Sequence, residues 1–162
     1  MTSTTIQLAI ESVQQSLDQM IKTTNALSEE TIRWKPSEEE WSIMEILCHV
    51  LEAVPYWIGE INYLKANPGA EWGRNHLQQA RLDAVAAADQ RSVEEIVNEL
   101  TRLKDQVGEE LGSLDSDTLA AEAPSRNPNF GTKPISFIVN HLIVEHASKH
   151  FGQIQRNLSK LD

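Results

Sequence analysis

Ser42-Ile-Met-Glu-Ile-Leu-Cys-His-Val-Leu-Glu-Ala-Val-Pro-Tyr-Trp-Ile-Gly-Glu-Ile61 opens with a serine followed three residues later by a glutamate, the reciprocal pattern of a capping box. Behind it Ile43, Ile46, Leu47, Val50, Val54, Trp57, Ile58 and Ile61 recur at three- and four-residue spacing, which puts them on one arc of an α-helix. The pattern predicts a helix over 42–66, stopped by Asn67-Pro68-Gly69. Pro55 lies inside it and removes one backbone hydrogen bond, so a bend is expected there, although the apolar period continues on both sides.

Three other segments show the same period. Upstream, Ile6, Ile10, Val13, Leu17, Met20, Ile21 and Leu27 make one stripe, and the stretch from Leu27 to Pro36 that follows breaks the period and reads as a connection. Downstream, 67–90 is polar, with an Ala-rich piece that suits a short helix. Ser92 and Glu95 then form a second capping-box pattern, opening a helix with Val93, Ile96, Leu100, Leu103, Val107 and Leu111 on one side and ending near Gly112. A loop with Pro124, Pro128 and Gly131 leads to Thr132 and Pro134, read as the cap and first turn of a last helix over 134–160. Four amphipathic helices predict an all-α four-helix bundle. The 162 residues suffice for one domain, 1–162, that buries roughly 70% of its unfolded surface.

Composition narrows the function classes. A net charge of -10 disfavours nucleic acid, whose affinity rests on Lys and Arg displacing counterions. No apolar run approaches the roughly 20 residues of a membrane span. One cysteine excludes an intrachain disulfide, and the first residues lack a basic segment with an apolar core, so a cytoplasmic location is expected. Cys48 reads as core packing, and the acidic runs Glu29-Glu30 and Glu38-Glu39-Glu40 as solvated residues near helix starts.

The chemistry-bearing pattern is three histidines on two helices: His49 on the quoted segment, and His146 and His150 four apart on the last one. Residues four apart stack on one helical face, so two imidazoles there can grip one ion. With His146 as zero and a step of about 100° per residue, His150 sits near 40° and Val139, Leu142, Ile143 and Ile154 fall within about 80°, so the pair faces the core. His49 lies on the shoulder of its apolar arc, with Ser42, Glu45, Glu52 and Tyr56 beside it. His141, about 140° from His146, and His76 read as ordinary residues. Three protein ligands with one position left for water or substrate is the arrangement of catalytic rather than structural zinc.

Other metal and catalytic families fail on the same residues. A zincin protease needs Glu directly after its first histidine, where Ala147 stands, and a ferritin-like di-iron site needs His three after Glu145, where Ser148 stands. Neither a phosphate-binding glycine loop nor a Gly-x-Ser-x-Gly elbow is present.

Trp41-Ser-Ile-Met-Glu-Ile-Leu-Cys-His49 resembles the W-S-x-x-E-x-x-x-H opening of the second helix in DinB-like proteins. His146-Ala-Ser-Lys-His150-Phe-Gly-Gln153 is similar to their H-x-x-x-H-x-G-Q ending, and the stretch from Leu27 to Pro36 to their first connection. The resemblance implies a four-helix bundle of up-down-down-up connectivity, commonly a homodimer, with a divalent transition metal on His49, His146 and His150. Where members often carry Arg in H-R-G-Q this chain has Phe151, which spares the ligands and alters their surroundings. Relatives include S-transferases and an isomerase that use low-molecular-weight thiols.

The expected function is therefore metal-assisted transfer of a small thiol to an electrophilic small molecule, the metal lowering the thiol's pKa. The alternatives are a metal-dependent hydrolase and a non-catalytic metal- or ligand-binding dimer. Zinc or nickel is expected, with iron, manganese and copper also suited to imidazole. Glu45, Tyr56 and Gln153, the last about 20° from His146, are expected to orient a ligand or line a pocket.

Overall fold

The computed structural model describes residues 4–74 and 78–161. Its long helices are α1 (Thr4–Asn25), α3 (Ile43–Ala66), α5 (Val93–Gly112) and a last helix that ends in α8 (Glu145–Ser159). Shorter helices α2 (Glu29–Arg33), α4 (Gln79–Ala86) and α6 (Ser116–Ala120), with a 3-10 turn Ala88–Gln90, lie in the connections.

Side-chain contacts set the helix directions. Gln14 donates to the Lys104 carbonyl at 3.0 Å and Lys104 pairs with Asp18 at 3.1 Å, while Ile10 lies beside Gly112, so α1 and α5 are antiparallel. Asn62 meets Glu110 at 3.1 Å near the ends of α3 and α5, which therefore run parallel. Asn157 donates to the Trp41 carbonyl at 2.8 Å, and His49 meets His146, so α3 and the last helix are antiparallel. The result is the up-down-down-up bundle, with a core from Ile10, Leu17, Leu47, Leu100, Val107 and Ile154. Burying such a side chain stabilises the fold by roughly 1.5–3 kcal/mol before entropy is charged against it.

The α3 capping box forms in full: Glu45 N–H donates to Ser42 Oγ at 3.1 Å, and Ser42 N–H donates to Glu45 Oε1 at 2.9 Å. Its helix continues through Pro55 to Ala66. At α5 only half of the box forms, because Glu95 turns its carboxylate to the Arg91 guanidinium at 2.6 Å instead of to the Ser92 backbone. A neighbouring cation outcompetes a neutral N–H.

Three expectations need correction. The connection 27–36 contains α2, capped by Ser28 and anchored by Ile32, which is 1% exposed. Thr132 and Pro134 are not a cap and first turn: they form strand β2 (Thr132–Pro134), antiparallel to β1 (Glu122–Pro124) with Ala123 opposite Lys133. Local capping signals cannot reveal that pairing, since the partner strand lies across a turn. The last helix, expected as one α-helix over 134–160, starts with α7 (Ile135–Phe137) and a π-helical stretch Ile138–Val144 before α8. There Glu145 N–H reaches Asn140 O, an i→i+5 bond, and Ile135, Val139, Ile143 and Ala147 are buried at a four-residue spacing that fits the wider turn.

Candidate metal centre

His49 on α3 is 1% exposed, and His146 and His150 project from consecutive turns of α8 toward it. Their rings meet edge to face, with centroids 4.3–5.0 Å apart. His146 Nε2 lies 3.2 Å from His49 Nε2 and 2.8 Å from His150 Nε2. Among the described residues, one ligand atom from each of the three falls within 4.8 Å of the others.

This crowding fits a cation better than it fits hydrogen bonding. A neutral imidazole nitrogen offers one proton or one lone pair, never both, so His146 Nε2 serves only one of its two short contacts well. The separations are close to the roughly 3.3 Å expected between ligand nitrogens about 2.05 Å from a tetrahedral ion. Burial, then the neighbouring imidazoles and the Arg81 and Arg74 guanidiniums, lower the His49 pKa to about 2. His146 is lowered to about 3 by burial, then by His150, Arg81 and Lys149, and His150 is lowered chiefly by burial. All three are therefore neutral near pH 7, the state that offers lone pairs to a metal.

His150 Nδ1 lies 2.9 Å from Gln153 Oε1, one turn on. Since an amide oxygen only accepts, the proton sits on Nδ1 and the Nε2 lone pair is aimed into the cluster. The Nδ1 atoms of His49 and His146 are buried without a partner among the described residues. The Trp41 ring packs against two of the imidazoles, its centroid 5.1 Å from that of His49 and 6.3 Å from that of His150.

A cavity of about 220 Å³ opens beside His49 and His146. Ala53, Trp57 and Leu142 form its apolar side, Arg74 and Arg81 its charged side, and Asn127 and Phe130 come from the turn between β1 and β2. A strap through Trp72 holds these parts together. Trp72 N–H donates to Pro124 O at 3.1 Å, Arg126 N–H donates to Trp72 O at 2.8 Å, and Trp72 Nε1 donates to Ala123 O at 2.9 Å. Gly73 follows at φ 95°, where a side chain would be strained, and its N–H donates to Glu60 at 2.7 Å. Arg74 then pairs with both Glu52 oxygens, Nη1 lying 2.7 Å from Oε2, and stacks 3.8 Å over the Tyr56 ring.

Of the other expected site residues, only Gln153 touches a histidine in this way. Glu45 serves the α3 cap and lies 3.7 Å from Lys35; it does not line the cavity. Tyr56 donates to Glu60 at 2.9 Å, and burial followed by that bond raises its pKa. The two therefore support the fold around the site. His141 is exposed and pairs with Glu145, while His76 lies outside the described residues. Arg74, Arg81, Asn127 and Phe130 escape a reading of periodicity, because they stand in polar or loop segments that carry no local signal.

No curated protein matches the sequence. Among solved structures, YfiT from Bacillus subtilis, described as a probable metal-dependent hydrolase with an unusual four-helix bundle topology, shares the fold at TM-score 0.81 and 9% identity, covering 99% of this chain and 90% of that one. A conserved protein from Enterococcus faecalis matches at TM-score 0.73 and 12% identity over 97% and 95% of the two chains. A mycothiol-dependent maleylpyruvate isomerase matches at TM-score 0.72 and 10% identity, covering 92% of this chain and 60% of that longer one. At such identities the likeness concerns the fold. The family model of the DinB superfamily matches residues 12–154, and the chain belongs to that superfamily.

Proposed function

We propose that this protein is a divalent-metal-dependent enzyme that transfers a low-molecular-weight thiol to an electrophilic small molecule. The observation that carries the reading is the convergence of His49, His146 and His150 at the wall of a cavity of about 220 Å³. When bound, a divalent ion lowers the pKa of a thiol or water that reaches it. The chain's own contribution is orientation and exclusion. Gln153 aims His150, Trp41 covers two of the imidazoles, and burial keeps all three neutral. His49 and His146 face the cavity, where Ala53, Trp57 and Leu142 exclude water from one side.

The test is metal content of untagged protein purified without chelator, with His146→Ala and His150→Ala beside it. About one transition-metal ion per chain, lost in both variants, is expected. A screen of thiols against electrophiles then decides the activity; turnover that needs no thiol points to hydrolysis, the activity described for YfiT. Absence of bound metal and of zinc or nickel uptake on titration overturns the reading.

A further inference from the structure

The two guanidiniums beside the histidines bear on what the cavity accepts. Arg74 reaches it from the strap and Arg81 from α4, both within 67–90, the segment with the weakest helical pattern. The chain as a whole carries a net charge of -10, yet no Asp or Glu is among the described residues that line this cavity. Arg74 is paired with Glu52 and stacks over the Tyr56 ring, which fixes its guanidinium, and the Glu52 carboxylate also acts on Arg81. Arg81 adds a second positive charge on the same wall, its guanidinium 5.8 Å from the Trp41 ring that also covers His49 and His150. Locally the charge is the reverse of the molecule's.

A planar guanidinium is suited to a carboxylate, which it meets with two parallel N–H bonds. The cavity volume, about 220 Å³, equals roughly seven waters of liquid and is below the range of about 300–1,000 Å³ typical for drug-sized ligands. The occupant is correspondingly small. From this placement we infer that Arg81 is a specificity residue that binds the carboxylate of a small anionic ligand in the cavity, with the rest of that ligand turned toward His49 and His146. The inference rests on the proposed thiol transfer only for the group presented to the histidines; the anion preference is a property of the cavity wall.

The experiment uses mercaptoacetate and 2-mercaptoethanol, an anionic and a neutral thiol of similar size, titrated into cobalt-loaded wild-type, Arg81→Gln and Arg81→Lys protein. Binding is read from sulfur-to-cobalt absorption and by calorimetry. Wild type is expected to favour mercaptoacetate by about tenfold or more, Arg81→Gln to lose that preference with 2-mercaptoethanol binding unchanged, and Arg81→Lys to keep part of it. A preference that survives in Arg81→Gln belongs to chelation by the carboxylate and overturns the inference, as does no preference in wild type. Succinate, which lacks sulfur, is titrated by calorimetry into the same proteins without cobalt. If no thiol gives the absorption, thiol transfer fails while succinate still decides the anion site: binding weakened in Arg81→Gln supports it, and no binding to wild type overturns it.

Discussion

Gln153 Oε1 accepts a hydrogen bond from His150 Nδ1 at 2.9 Å, and that single contact determines which nitrogen His150 presents to its neighbours. The bond spans three residues of one helix, so α8 carries both the imidazole and its support. Gln153→Ala is expected to weaken metal binding by roughly 10–100-fold, the usual cost of removing the partner of a ligating histidine. Competition against a chromophoric chelator measures it, with a thermal melt to show that the fold persists. Unchanged affinity would mean that packing alone orients the ring.

Acid should destabilise the metal-free protein. The His49 and His146 pKa values, about 2 and about 3 in the folded chain, lie below the ordinary value of 6.5. Below that value the unfolded chain takes up protons that the folded chain refuses, so stability present above about pH 6.5 is lost as pH falls toward the folded values. Each histidine contributes a slope of about 1.4 kcal/mol per pH unit. Urea denaturation at pH 7.5 and 5.0 should show a larger drop for wild type than for His146→Ala. Equal drops in the two proteins would refute the assignment.

Glu45 should matter to the fold and not to the ion. Glu45→Ala removes one arm of the α3 capping box and is expected to cost about 0.3–1.5 kcal/mol, with Ser42→Ala costing about 1 kcal/mol. Metal stoichiometry should remain that of wild type in both. A Glu45→Ala protein that is fully stable yet metal-free would contradict this division of labour.

Trp72 is the tie between the α3 side of the cavity and the β1–β2 turn. It is fully buried, donates to Ala123 O, and its ring lies 6.1 Å from those of Trp57 and Phe130. Trp72→Ala is expected to cost about 3–5 kcal/mol in chemical denaturation. A loss below about 1 kcal/mol would show that the strap does not hold the wall.

How much of this was legible in the chain follows from the range of each interaction. The four long helices are written in apolar spacing, and α3 and α5 also in their capping residues, signals that act within one or two turns: Ile43 to Ile61 reads as one helical face, and Ser42 with Glu45 marks its start. The His146 and His150 pair is equally local, since both stand on the regular α8. The π-helical stretch Ile138–Val144 is different, because a helix widens there to suit neighbours that a wheel does not contain. The same holds for β1 and β2, each of which needs the other to satisfy its backbone.

The sequence by itself therefore determined where the four long helices run, their apolar faces and, through motif resemblance, which histidines belong together. Only the tertiary structure decided that Glu45 stays at its cap and away from the cavity, that Gln153 supports His150, and that Arg74 and Arg81 flank the cavity. Arg81 is 32 residues after His49 and 65 before His146, and what joins them is packing of α4 on α3 and the Trp72 strap. Periodicity reports which way a side chain points from its own helix; it carries no information about what a distant segment places in front of it.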